Sequence, residues 1–365
     1  MVDDSVFRLS HRLTWKPPQL LSPDKEPTRV DRTNNQMLNV IGNLSLAVAN
    51  HFKTGGIIAN EHTLDRAETR RHVEVLGRWF DFIPLHELPE RLCHPRKRPF
   101  CLLTFDDGKR SNATEVAPEL ERLGVPAAFF IVARSIDCKT PLWFDRQRAL
   151  RKKLGDALAP DLQLKTLKQL PYAVLESRLE RACLQYGVEA DLNDDHVGLM
   201  TWEQVRGLHQ RGFSIGAHGF THAILTREPK IAALESIEKS IARVGEMTGA
   251  ACSSFAFPNG NYTPELAQHA VRCGAKMVMT TEPIWAGEGS ALWRLPRLQF
   301  FAMDSPGKIK LKIAVAASGL VLNNPDGSGK AYQAINRRAR QSGHTPIATQ
   351  FANLSSKPDR KPTFE

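Results

Sequence analysis

At 365 residues the chain can bury a sizeable core, as one large α/β domain or as one domain with appendages. A hydrophobic fraction of 42% excludes a disordered chain, and no run approaches the eighteen or so apolar residues of a membrane span. The formal charge of +10 points to an acidic partner or an anionic surface; part of the excess follows Leu322, where seven Lys/Arg face three Asp/Glu. Six cysteines, at 93, 101, 138, 183, 252 and 273, form no C-x-x-C pair, which argues against a zinc ribbon or a redox dithiol. No amino-terminal segment has the order of a signal peptide, so the expected setting is reduced and cytoplasmic.

Residues 1 to about 35 mix charges with Pro17, Pro18, Pro23 and Pro27 and read as an extended arm. Leu38, Ile41, Leu44, Leu46 and Val48 recur with a spacing compatible with a short helix before Gly55-Gly56. Ile57-Ile58-Ala59 is the first predicted strand and leads to Asn60-Glu61-His62, where a lone histidine is most often a solvated loop residue. Thr63 is the expected cap of a helix reaching about Phe80, followed by a short strand at Phe82-Ile83-Pro84-Leu85 and a turn at Leu88-Pro89.

The apolar run Phe100-Cys101-Leu102-Leu103 reads as a buried strand and closes in Thr104-Phe105-Asp106-Asp107-Gly108. Asp-Gly is a common turn pair. Two adjacent carboxylates at the end of a buried strand are nevertheless costly without a cation or a shared proton to offset their repulsion. Asn112 with Glu115 has a capping-box spacing, Gly124 a left-handed helix end, and Ala127 to Val132 another strand, the rhythm of parallel βαβ units. From Trp143 to about Val197 the sequence turns helical and basic, with Arg146, Arg148, Arg151, Lys152 and Lys153; it reads as an insertion placed to cover the strand ends, or simply as a wet helix face.

Strand and helix then alternate again. Thr201 with Gln204 caps a helix, Phe213 to Ala217 is a strand, and a long helix from Glu228 ends at Gly249. Ser254-Phe255-Ala256-Phe257 is a strand before a Pro258-Asn259-Gly260 turn, and Thr263-Pro264 opens a further helix. His218-Gly219-Phe220-Thr221-His222 follows the strand ending at Ala217. Two imidazoles four positions apart can face one cation from a single helical turn, and an Asp oxygen completes a three-ligand site with a position open for water. By itself such a pair is more often surface or core histidines.

Together, Thr104 to Gly108 and His218-x-x-x-His222 resemble the first two motifs of the polysaccharide deacetylase family, also called NodB-homology or carbohydrate esterase 4. The second motif has Gly219 where the family has Ser or Thr. The resemblance implies an α/β fold, a distorted (β/α) barrel of the NodB type with a helical insertion and extended termini. The implied division is an arm and short helix at 1–54, the barrel at 55–322 with its insertion at about 143–197, and a basic, disordered tail at 323–365.

The resemblance also assigns roles. Asp106 is the implied general base, and Asp107, His218 and His222 the ligands of a divalent cation, most simply Zn2+, which lowers the pKa of bound water and polarises the carbonyl. Phe255-Ala256-Phe257-Pro258-Asn259-Gly260 resembles the third motif, which makes the N–H of Asn259 the candidate oxyanion donor. In one branch of the family a histidine after the first strand acts as general acid, and His62 falls at that position with Glu61 in place of the family's tyrosine. Ala256 stands where most of the family has the arginine that orients the base, and Arg297 is the candidate to supply that charge.

The implied function is metal-dependent hydrolysis of acyl groups, chiefly N-acetyl, from a carbohydrate, with anionic or lipid-linked sugars within the substrate range. Two alternatives remain open: a metal-binding carbohydrate-binding protein with weak or lost turnover, and an amidohydrolase for a non-sugar C–N bond. Nucleic acid is not an expected partner, because no aromatic-rich basic strand or recognition helix is present.

Overall fold

Strand β3 (Phe100–Phe105) is buried along its whole length, and its side chains part to two sides. Cys101, Leu103 and Phe105 join one apolar cluster, while Phe100 and Leu102 join another. This is the period-two alternation of a strand covered on both faces. Strands β1 (Gly56–Glu61) and β4 (Ala127–Ile131) repeat it: Ile57, Ala59, Phe129 and Ile131 face the first cluster, Ile58, Ala128 and Phe130 the second. The first cluster is the layer between sheet and helices; the second fills the hollow of the curled sheet. The computed structural model describes residues 54–319, with Asn43 alone before them, so the expected arm, first helix and basic tail lie outside the described residues.

The remaining strands are β2 (Asp81–Phe82), β5 (Ser214–Ala217), β6 (Ser254–Ala256), β7 (Met277–Met279) and β8 (Leu298–Gln299). All pair in parallel in the order β7-β6-β5-β4-β3-β1-β8, with β2 beside the start of β3. Parallel neighbours need crossovers, and the connections between strands carry helices α1 (Arg66–Gly77), α2 (Leu88–Cys93), α3 (Ala117–Leu123), α4 (Ala133–Cys138), α5 (Trp143–Leu154), α6 (Leu164–Leu167), α7 (Tyr172–Tyr186), α8 (Trp202–Gln210), α9 (Lys230–Thr248) and α10 (Pro264–Arg272), while α11 (Pro306–Ser318) follows β8. Among the described residues no helix is long and apolar enough to cross a membrane.

One short segment joins the two edges of the sheet. Leu295 N–H donates to the Val278 carbonyl at 2.8 Å, and the Leu295 carbonyl accepts from Thr280 N–H at 2.8 Å. Three residues later Leu298 and Gln299 pair with Ala59 and Asn60. The sheet therefore curls onto itself as a distorted barrel, and Arg297 is carried inside it with no exposed surface. At the opposite end Leu85, Leu88 and Leu92 close the hollow against Phe100. The turn expected at Leu88-Pro89 is instead the start of α2, because proline in a first helical turn forfeits no hydrogen bond.

Local signals agree with the structure in part. Helix α1 is capped by Asp65, not Thr63: Asp65 accepts from Glu68 N–H at 2.7 Å and Glu68 accepts from Asp65 N–H at 2.9 Å. Asn112–Val116 is a π-helical turn without a side-chain cap, and Glu115 pairs with Arg66 at 3.0 Å instead. The capping box at Thr201 and Gln204 and the left-handed ends at Gly124 and Gly249 are present. The insertion helices α5 and α7 pack on their own core of Trp143, Leu150, Leu175 and Leu179. Part of their basic run is internal stapling: Arg146 pairs with Glu176, and Lys153 donates to the carbonyls of Tyr186 and Gly187 at the end of α7.

Candidate active site

Every motif leaves the carboxyl end of a parallel strand, the end at which loops of such folds build sites. His62 follows β1, Asp106 and Asp107 follow β3, His218 follows β5, and Phe257 to Gly260 follow β6. Glu61 pairs with Phe105, so His62 and Asp106 leave adjacent strands side by side, and Asp106 N–H donates to the Glu61 carbonyl at 2.9 Å. His62 is half-buried.

Asp107, His218 and His222 are all buried, with one donor atom from each within 4.8 Å of the others. Asp107 Oδ1 lies 3.1 Å from His222 Nε2 and 3.6 Å from His218 Nε2. Asp107 Oδ1 is buried yet accepts no hydrogen bond. His218 Nδ1–H donates to the Ala256 carbonyl at 2.9 Å, which leaves Nε2 as the lone-pair nitrogen facing Asp107. Ligands about 2.0–2.1 Å from a tetrahedral zinc stand roughly 3.4 Å apart, a spacing that the two measured separations bracket. The donor set of one carboxylate and two imidazoles fits a divalent cation of borderline softness.

The histidines converge by a route different from the helical turn expected for them. Residues 218–222 form a loop in which Gly219 (φ +70°) and His222 (φ +59°) both take left-handed backbone. A Cβ at Gly219 would stand 2.9 Å from Pro258 Cγ. Glycine is thus required there by conformation and by the close approach of the third motif, so the missing Ser or Thr of the resemblance has a physical reason. Asp107 is left-handed too (φ +75°), followed by Gly108 (φ +73°).

Asp106 is held by Arg297. The guanidinium donates from Nη1 to Oδ1 at 2.7 Å and from Nη2 to Oδ2 at 2.8 Å, a bidentate pair, and its Nε–H donates to the Thr280 carbonyl at 2.9 Å. Nη1 also reaches Thr104 Oγ1 at 3.2 Å, and the cation lies over the Phe130 ring at 5.5 Å. Ala256 sits in the same interior cluster as Phe130, so the arginine absent from the third motif is replaced from the segment just before β8. Burial alone raises the Asp106 carboxyl, but Arg297 foremost and then His218 overcome it and hold Asp106 below the usual carboxylate range. Burial likewise opposes ionisation of Asp107, and His222 foremost holds it well below that range. Burial above all lowers His218 to about 4, so it is neutral and able to ligate at neutral pH.

Asn259 takes left-handed backbone (φ +57°) between Pro258 and Gly260, at the end of β6, and its side chain bonds to that of Asn261. The structure thus brings Asp106, Asp107, His218, His222 and Arg297 into one buried cluster. His62 and Asn259 stand at the ends of flanking strands.

The insertion was expected over the strand ends, but the residues with which it walls the site were not singled out. Trp143 Nε1–H donates to the His222 carbonyl at 3.1 Å, and the Phe144 ring meets the His222 ring edge-on at 5.0 Å. Asp145 pairs with Lys109, the residue after Gly108. The one available signal was Lys109 directly behind the first motif, and Trp143 to Asp145 carried none.

The sequence model of one family, described as polysaccharide deacetylase, matches residues 94–278, just over half of the chain. No curated protein sequence matches. Among solved structures, the Streptococcus pyogenes deacetylase PplD in complex with acetate is 16% identical, with 71% of this chain and 97% of that one covered at a TM-score of 0.50. IcaB from Ammonifex degensii is also 16% identical, with 71% and 97% covered at 0.49. The deacetylase domain of BpsB from Bordetella bronchiseptica is 17% identical, with 67% and 96% covered at 0.47. The first of these supports the barrel fold.

Proposed function

The chain belongs to the polysaccharide deacetylase family of hydrolases, and from that premise we propose that it removes N-acetyl groups from a carbohydrate with the help of a divalent cation. The observation that carries this reading is the convergence of Asp107, His218 and His222 beside a second carboxylate, Asp106, clamped by a buried arginine. Asp107, His218 and His222 are the residues that would hold the cation. When bound, it would polarise the acyl carbonyl and acidify a water.

The chain's own groups supply the proton transfers. Asp106, kept ionised by Arg297, accepts the proton of the attacking water. The fork of Arg297 fixes the carboxylate plane, so the base stays aimed at one place. Asn259 presents a backbone N–H to the developing oxyanion. His62, just past the end of the strand beside β3, donates a proton to the departing amine, which leaves as an amino sugar while the acyl group leaves as acetate. The exposed Arg148, stacked on Phe144 at 5.1 Å beside His222, suits a sugar bearing an anionic group.

The test is acetate release from N-acetylglucosamine oligomers and from anionic acetylated sugars by the zinc- or cobalt-loaded protein. Release supports the assignment. Full cation occupancy with no release from any acetylated sugar replaces it with a carbohydrate-binding role. His62→Ala is expected to lower turnover by about a hundredfold with cation content unchanged. An unaltered rate removes His62 from the mechanism.

A further inference from the structure

Asp107 and His222 are two of the four non-glycine residues with left-handed backbone among the described residues, and both point donor atoms at the same place. Such backbone costs about 1–3 kcal/mol per residue and persists only where the surroundings hold it. Three consecutive residues at the start of α5 touch His222 or Lys109, the residue two beyond Asp107. Trp143 donates to the carbonyl of His222 at 3.1 Å, so its indole grips the strained peptide itself. Phe144 packs on the His222 ring at 5.0 Å. Asp145 accepts from Lys109, two residues beyond Asp107.

Lys109 is fixed on every side. Its ammonium also donates to the Val197 carbonyl at 2.9 Å and lies over the Phe144 ring at 5.3 Å. On either side of it the backbone is bonded to the end of the insertion: Met200 N–H donates to the Gly108 carbonyl at 3.0 Å, and Arg110 N–H to the Gly198 carbonyl at 2.9 Å. Lys109, Trp143 and Asp145 are 1%, 2% and 3% exposed. A buried ion pair is about as stable as an apolar pair of the same volume, so stability alone does not account for this one.

We propose that the first helix of the insertion is a positioning arm of the cation site: Trp143 sets the backbone of His222, Asp145 sets that of Asp107 through Lys109, and the ligands share one cation only while α5 is docked. The inference rests on the reading of Asp107, His218 and His222 as cation ligands. It makes the insertion part of the active site and not an appendage to the barrel.

Cobalt(II) tests it, because the ion's visible absorption reports ligand geometry independently of turnover. In the full chain, Trp143→Phe, Lys109→Met and Asp145→Asn are each expected to weaken Co2+ affinity about 10- to 100-fold and to alter the visible band, with far-UV circular dichroism preserved. Where a single variant fails to fold, Lys109→Met with Asp145→Leu leaves no unpaired buried charge and is expected to fold, with affinity still reduced. Folded variants that bind Co2+ with wild-type affinity and spectrum overturn the inference and leave the cation site standing. A wild-type chain that takes up no Co2+ overturns both.

Discussion

Asp106→Asn is expected to lower acetate release by about 10²- to 10⁴-fold while cation content stays at the wild-type level. The amide matches the carboxylate in shape, and the three donor residues are untouched, so the loss isolates proton acceptance from cation binding. The same change removes the counter-charge of a guanidinium with no exposed surface. A buried partner left alone costs about 3–5 kcal/mol, so the variant should also unfold at lower urea concentration. Cation content and urea midpoint measured together separate the two effects. Turnover that survives in a cation-loaded Asp106→Asn protein would move the base to another residue.

Arg297→Met is expected to displace the acid limb of the pH profile of kcat/KM toward higher pH. Burial works to raise the Asp106 carboxyl, and Arg297 is the largest influence opposing it. With the guanidinium gone burial prevails, the carboxyl protonates at a higher pH, and the base is lost sooner on acidification. Stability moves in the same sense. The native pair contributes stability above the ordinary carboxylate pKa and loses it as pH falls through the lowered one, and the variant lacks that contribution at neutral pH. Loss of one member of the buried pair should cost about 3–5 kcal/mol by urea unfolding, with much of it recovered in Arg297→Met with Asp106→Asn. An acid limb that stays in place in the single variant would show that Asp106 is not the group it reports.

The site was legible where chemistry and chain coincide. Asp106 and Asp107 stand at the end of an apolar run, and their repulsion is visible in the letters alone. His218 and His222 are paired by spacing, but spacing does not give their path, because a loop and a helical turn can both bring positions four apart together. Gly219 was the clue, since its left-handed backbone and the approach of Pro258 are incompatible with a helix. Thr63 and Asp65 are both good caps, and only the partner at Glu68 distinguishes them. The wall made by Trp143 to Asp145 was hidden because its partners, Lys109 and His222, lie 36 and 79 residues away. Strand β8 has only two residues, too few for any alternation to show, whereas the start of α11 at Ser305-Pro306 and its left-handed end at Gly319 were signals in the letters that went unread.

The closure of the barrel by residues 295–299 has a consequence for how the molecule is made. The counter-ion of Asp106 is 191 residues distant, immediately before β8, the last of the described strands to leave the ribosome. A chain cut short before Leu295 would keep Asp107, His218 and His222 but present β7 and β1 as bare sheet margins, open to pairing with other chains. Synthesis that stalls in that interval should therefore yield clumping fragments, able to gather a cation yet powerless to use it.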